Sequence, residues 1–221
     1  MLKKTAYLSR FMLPERFAIL QKALAQRTRY ITVCLEDIYQ SQNVSAVLRS
    51  CDAFGVQDVH LIEKRNTISI NRDVVRGTDK WLTLHKYGRK FANPTQQAVD
   101  TLKSQGYRIV ATTPHHQSVS LQDFDVNKGK FSLFFGTEQT GLSADVLDRA
   151  DDFLYVPMCG FVESLNLSVC AAICLQNLTQ KVRNSTSWQL ALAEQDDLLL
   201  RWVKKSVRDS ERILQAYANP F

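Results

Sequence analysis

The stretch FSLFFGTEQTGLSADVL, Phe131–Leu147, reads as a strand, a tight turn and a short helix opening at Ser143. FSLFF is almost unbroken in its apolar character. A strand that faced water on one side would alternate, so this one is covered on both faces. Such strands belong to parallel sheets sandwiched between helices, where ligands bind beyond the carboxyl ends of the strands. The turn that follows has glycines five apart, Gly136 and Gly141, with Glu138 between them.

The same alternation extends outward. YITVCLED (30–37), VHLIEK (59–64), WLTLHKY (81–87), YRIVATT (107–113) and FLYVPM (153–158) read as strands. Between them, SQNVSAVLRSCDAFG (41–55) and PTQQAVDTLKSQG (94–106) have helical periodicity and close at Gly55 and Gly106. Residues 65–80 read as a polar loop with one short helix, and SLQDFD (120–125) as a turn. SLNLSVCAAICLQNLTQK (164–181) predicts a long apolar helix, followed by a polar break at 183–187. The fold class is α/β, a mainly parallel sheet with helices on both faces.

Outside this body lie two helical extensions. Residues 14–27 are amphipathic, with Phe17, Leu20, Ala23 and Leu24 on one stripe. The tail from Trp188 to Tyr217 carries a stripe of Leu192, Leu199, Trp202 and Val203, with Trp202 as a core anchor. The expected division is a basic N-terminal extension (1–29), a central domain (30–180) and a C-terminal extension (181–221). Residues 1–30 hold seven Lys or Arg and one Glu, a surplus equal to the net charge of +6 for all 221 residues. A basic appendage on a nearly neutral body predicts a polyanion partner.

Composition narrows the setting. With 45% hydrophobic and 23% charged residues the chain is an ordinary globular protein. No apolar run is long enough for a membrane span, and the basic N-terminus has no apolar core of a signal peptide behind it. The five cysteines, Cys34, Cys51, Cys159, Cys170 and Cys174, form no CxxC pair and read as reduced thiols in the cytoplasm. No metal site is expected. His115–His116 reads as loop, and Cys170 with Cys174 as small buried hydrophobes.

Two further segments follow strands. In NVSAVLR (43–49), Val44, Val47, Leu48 and Cys51 make a buried stripe, which puts Ser45 and Arg49 on the other face. Asn43 stands where a helix cap would. In VPMCGFVESLNLS (156–168), Ser164, Asn166 and Ser168 alternate at the head of the apolar helix. One of them, Ser164, could cap it. Three exceed what capping needs, and Leu165 between them adds an apolar wall.

Together, Asn43 and Arg49, the turn Gly136-x-Glu138-x-x-Gly141, and Pro157-x-x-Gly160 followed by Glu163-Ser164-Leu165-Asn166-x-Ser168 resemble the motifs of the TrmH-type branch of SPOUT methyltransferases. The resemblance covers about residues 30–180. It implies transfer of a methyl group from S-adenosylmethionine to a ribose 2′-hydroxyl of RNA. It also implies a deep trefoil knot in the C-terminal half (about 130–180) and a homodimer with the active site near the interface. The flanking extensions resemble the members that act on guanosine 18 in the tRNA D-loop. By that resemblance the reaction falls to Arg49, Asn43, Glu138, Ser164 and Asn166, with Glu138 fixing the turn. The cofactor would lie against Thr112, Gly136, Gly141, Val156, Met158, Leu165 and Ser168. Arg49 would stabilise the developing 2′-oxyanion, since a guanidinium stays charged and is a poor base. Arg10, Arg16 and Arg27 are candidate contacts to tRNA, with Lys204, Lys205 and Arg208 weaker ones. No DNA or membrane partner is expected. The alternatives are a ribosomal RNA substrate, a non-catalytic RNA-binding module on the same scaffold, and a dinucleotide oxidoreductase, which lacks its glycine fingerprint here.

Overall fold

The computed structural model of the chain describes residues 3–88, 90–114, 118–185 and 187–218. They fall into two compact units: Thr28–Trp188, and the two terminal segments, residues 1–27 and 189–221, taken together. Its strands are β1 (Ile31–Glu36), β2 (Asp58–Ile62), β3 (Thr83–Tyr87), β4 (Arg108–Thr112), β5 (Val119–Ser120), β6 (Phe131–Phe135) and β7 (Asp152–Tyr155). In chain order the helices are α1 (Lys3–Leu8), α2 (Pro14–Leu24), α3 (Ser41–Ala53), α4 (Arg72–Val75), α5 (Pro94–Ser104), α6 (Ala144–Leu147), α7 (Leu167–Ser185), α8 (Leu192–Ser206) and α9 (Ser210–Ala218).

The seven strands form one sheet in the order β3-β2-β1-β6-β4-β7-β5, and every pairing is parallel. At the centre, Val33 of β1 lies opposite Val59 on one side and Leu133 on the other. All residues of β1 and β6 are buried, which is why these runs do not alternate. Ile31, Val33 and Leu35 share one core with Val44, Val47 and Leu48 of α3 and Leu175 and Leu178 of α7. Cys34, Ile109 and Phe134 face the other way, toward Val99 and Leu102 of α5 and Val146 of α6.

A polar cluster is built into β2 and β3. Asp58 accepts from Arg29 Nε at 2.6 Å and from His85 Nε2 at 2.9 Å. The His60 and His85 rings stack with centroids 4.4 Å apart, and His60 Nδ1 lies 3.0 Å from the Tyr87 hydroxyl. Burial raises the Asp58 carboxyl, but His85 and Arg29 hold it below its usual range. Burial pushes the His60 imidazole down to about 3, with His85 beside it adding to the fall.

Several boundaries differ from the sequence reading. The predicted turn at 120–125 opens on Ser120, the second residue of β5, a strand of two residues too short for any periodicity to register. α7 starts at Leu167 rather than Ser164 and runs through the expected break as far as Ser185. Ser45, placed on the polar face of α3, is fully buried: its hydroxyl donates to Ser41 O at 2.7 Å and accepts from Asn71 N at 2.8 Å. His115–His116 lies outside the described residues.

In the terminal unit α1 and α2 both pack on α8. Pro14 opens α2, and Leu20 and Leu24 of its predicted stripe are buried. The tail is two helices, divided near Asp209, whose φ is +54°. Trp202 is buried, while Leu192 stands at the first turn of α8 and is 80% exposed, outside the stripe assigned to it.

Candidate active site

The site grows from the turn after β6. Thr137 N donates to Gly141 O at 3.1 Å, and Gly141 N donates to Thr137 O at 3.0 Å. This closes the turn tightly on itself. A Cβ on Gly136 would sit 2.2 Å from the Gly141 carbonyl carbon and oxygen, so only glycine fits. Gly141 takes φ +66°, which any side chain would resist. The turn therefore holds Glu138 at a fixed place above the sheet's carboxyl edge.

Glu138 Oε1 is where the three sequence segments meet. It accepts from Asn43 Nδ2 at 2.9 Å, from Asn166 Nδ2 at 3.1 Å and from Leu167 N at 3.4 Å. Asn166 Nδ2 also donates to Asn43 Oδ1 at 3.1 Å, and Asn43 Nδ2 to Gln40 Oε1 at 2.7 Å. Asn166 Oδ1 accepts from Ser168 N at 2.9 Å and from its hydroxyl at 2.6 Å. Asn166, not Ser164, is thus the cap of α7. Asn43 is no cap either: Gln40 precedes α3, and Asn43 lies buried in its first turn at 7% exposure. Its amide is committed across the site instead, where each donor gains from the charge on the carboxylate.

Beside this cluster lies a cavity of about 370 Å³. Its walls include Thr112, Gly136, Gly141, Val156, Met158, Ser164 and Leu165. Ser168, expected here, does not line it, because its hydroxyl is turned to Asn166. The Thr112 hydroxyl donates to Phe134 O at 2.7 Å and ties β4 to β6, so its role at the wall is positional. Cys170 and Cys174 also line the cavity, and the hydrogen bond that Cys174 donates to Cys170, together with burial, pushes the Cys174 thiol up.

Arg49 stands apart. It is exposed near the end of α3, its Nη1 donating to Val74 O at 3.2 Å, and it lines neither this cavity nor the one beyond the turn. Of the expected RNA contacts, Arg10 and Arg16 are exposed. Arg27 is 4% exposed with its guanidinium 5.1 Å from the Trp202 ring centre, so it serves the terminal unit's core and is withdrawn from phosphate.

Two carboxylates at the end of β1 had no assigned part. Glu36 accepts from the Thr95 hydroxyl at 2.6 Å and from Ser143 N and Oγ at 2.9 and 2.6 Å, anchoring the start of α6. Asp37 Oδ1 accepts from the N–H groups of Lys64, Arg65 and Asn66 at 2.9, 2.8 and 2.8 Å. Their only sequence signal is an acidic pair directly after an apolar strand. Among the described residues no three His, Cys, Asp or Glu side chains gather as metal ligands, and no helix is long and apolar enough to cross a membrane.

Residues 30–176 match the model of the SpoU rRNA Methylase family. The chain is 42% identical to the tRNA (guanosine(18)-2′-O)-methyltransferase of Borreliella burgdorferi, covering 96% of this chain and 95% of that protein. Its fold resembles the crystal structure of the A. aeolicus TrmH/SpoU tRNA modifying enzyme, with a TM-score of 0.75 and 28% identity over 87% of this chain and 97% of that one. It also resembles the SpoU methyltransferase AviRb from Streptomyces viridochromogenes in complex with the cofactor AdoMet, with a TM-score of 0.60. There the identity is 22% over 75% of this chain and 62% of that one, a likeness of fold.

Proposed function

The chain belongs to the SpoU rRNA methylase family, and from that premise we propose that it transfers a methyl group from S-adenosylmethionine to the ribose 2′-hydroxyl of guanosine 18 in tRNA. The observation that carries this reading is the meeting of Asn43, Asn166 and the α7 N-terminus on one Glu138 oxygen, at the wall of a cavity at the sheet's carboxyl edge. A non-catalytic binding module would have no need of that arrangement. The near full-length identity to a tRNA-acting relative favours tRNA over ribosomal RNA.

The cavity suits the methyl donor. Val156, Leu165 and Leu154 offer apolar walls, and the glycine turn brings backbone where a side chain would fill the space. When bound, S-adenosylmethionine supplies a methyl group already activated on a sulfonium. The protein's part is to hold the ribose in line and to stabilise the oxygen as its proton leaves. In our reading Arg49, which within one copy lines neither cavity, takes that second role across the homodimer interface, meeting the 2′-oxygen and the neighbouring phosphate with its planar fork. Asn43, Ser164 and Asn166 orient the ribose. Glu138, with one oxygen engaged by three donors, acts as the post that holds them.

The proposal extends to the assembly. The exposed side chains of Phe161, Val162, Val169 and Ile173, in the loop after β7 and on α7, are an apolar surface that a second copy would cover. In the sheet β6 inserts between β1 and β4, and β7 between β4 and β5, an order compatible with the deep knot of residues 130–180. Such threading is rare enough that the family supplies the argument. The terminal segments, 1–29 with Arg10 and Arg16 and 181–221 with Lys204, Lys205 and Arg208, serve as the tRNA-binding extensions. The cytoplasm is the expected setting.

The test is to incubate purified protein with unmodified tRNA transcripts and methyl-labelled S-adenosylmethionine, then map the label. A 2′-O-methylguanosine at position 18 is the expected result. Label only in ribosomal RNA would move the substrate, and no transfer with no cofactor binding would overturn the enzyme reading.

A further inference from the structure

The turn that carries Glu138 has a second side. Beyond it lies another cavity of about 290 Å³, which shares Thr137, Glu138, Gln139 and Thr140 with the first. It runs into an open groove of about 550 Å³, and Tyr39, Gln40, Arg65 and Asn66 line both. We propose that this groove holds the target nucleoside, with the Tyr39 ring stacked on its base and the Arg65 guanidinium on the adjoining phosphate. The inference rests on the preceding reading, for which it supplies the place of the substrate.

Tyr39 stands three residues beyond the end of β1 and is 79% exposed. An aromatic ring left in water on a loop at the sheet's carboxyl edge is available for stacking, and every base offers a face to it. Arg65, also exposed, rises from the neighbouring loop after β2. The two loops are pinned to each other. Asp37 takes φ +56°, uncommon for a residue with a side chain, and its Oδ1 gathers the N–H groups of Lys64, Arg65 and Asn66. Asn66 Nδ2 returns a bond to Asp37 O at 2.9 Å. The groove is therefore built before any ligand arrives, so little ordering is left for the substrate to impose.

Its position fits the reaction. A base seated against Tyr39 leaves its ribose at the shared turn, on whose far side the cofactor cavity lies. A ribose inside folded RNA reaches such a place only when its base leaves the stack, and a waiting aromatic face replaces the stacking that is lost.

The experiment compares wild type with Tyr39→Ala, Tyr39→Phe and Arg65→Gln, using tRNA transcripts with guanosine or the fluorescent purine 2-aminopurine at position 18. Tyr39→Ala is expected to lower kcat/KM by about tenfold or more, to leave S-adenosylmethionine affinity and thermal midpoint unchanged, and to abolish the fluorescence change seen on binding wild type. Tyr39→Phe restores most of the activity and the signal. Arg65→Gln weakens tRNA binding and reduces its salt slope by about 0.7–0.9, one phosphate contact. Wild type active on guanosine 18, with Tyr39→Ala within twofold of it and the same fluorescence change, overturns the groove while leaving the function standing. A Tyr39→Ala protein that loses cofactor affinity or melts early, with Tyr39→Phe no better, makes the ring structural and also overturns it. Wild type inactive on every guanosine 18 transcript overturns both.

Discussion

Two of the carboxylates that gather donors in the sheet unit, Asp58 and Glu138, differ in what they face. Asp58 stands at the start of β2 and spreads its bonds over both oxygens, to Arg29 and to His85. Glu138 lies beyond the end of β6 and receives three donors on one oxygen, two of them asparagine amides. The first is enclosed among stacked rings, between strands that are neighbours in the sheet. The second opens on two cavities and joins segments far apart in the chain. Both are satisfied polar networks, and burial alone would rank the Asp58 cluster higher. What separates them is where the backbone ends: groups at a strand's carboxyl end face a space that the sheet cannot fill.

The comparison can be broken at several points. The largest effect belongs to Arg49→Lys, expected to cut kcat by about 10²–10³ while S-adenosylmethionine affinity, measured by calorimetry, stays unchanged. A near-normal rate would remove the need for a planar fork and shift the weight of catalysis back onto the Glu138 cluster. Gly136→Ala should cost about 10² in kcat/KM, with cofactor binding lost, because its Cβ meets backbone at 2.2 Å. Glu138→Gln and Asp58→Asn form a matched pair. The former should lower kcat/KM about tenfold with little change in melting and no change in the shape of the pH–rate profile. The latter should cost roughly 2 kcal/mol in stability by urea unfolding and leave kcat alone. Exchange of these two phenotypes would invert our reading of which cluster is the site.

The last effect is a slope, spread over about two pH units. With His60 held down to about 3 in the fold, the unfolded chain takes up a proton near pH 6.5 that the folded chain refuses. Stability from this group is full above about pH 6.5 and is lost as pH falls toward 3, at up to about 1.4 kcal/mol per pH unit. Asp58, depressed by His85 and Arg29, adds its own loss only below about pH 4. Urea midpoints between pH 7 and 4.5 should fall more steeply for wild type than for His60→Gln; parallel curves would show that His60 is not buried neutral.

Much of this was legible in the sequence where a residue's partner is local. The apolar runs of β1 and β6 and the stripes of α2 and α3 follow from spacing, since burial repeats with the geometry of the element. Gly136 and Gly141 could be flagged because a tight turn has few solutions. What escaped is what depends on distant partners. Asn43 looked like a cap and Ser164 like the head of α7, because nothing near Asn43 announces a carboxylate 95 residues on. Arg27 looked like a phosphate ligand because its charge is visible and the covering Trp202 is not. Ser45 fell on the polar face of α3, yet Asn71 reaches over to bury it.

The cluster also has an order of assembly written into it. Asn43 is synthesised 95 residues before Glu138 and 123 before Asn166. A chain emerging from the ribosome has made β1 and α3, and with them the Asn43–Gln40 bond, long before it has the carboxylate that Asn43 reaches across to. The Glu138 cluster therefore closes only when the last strands and the head of α7 have been translated and settled. A message broken between codons 156 and 166 yields a chain with all seven strands and no bond from Asn166 to Glu138.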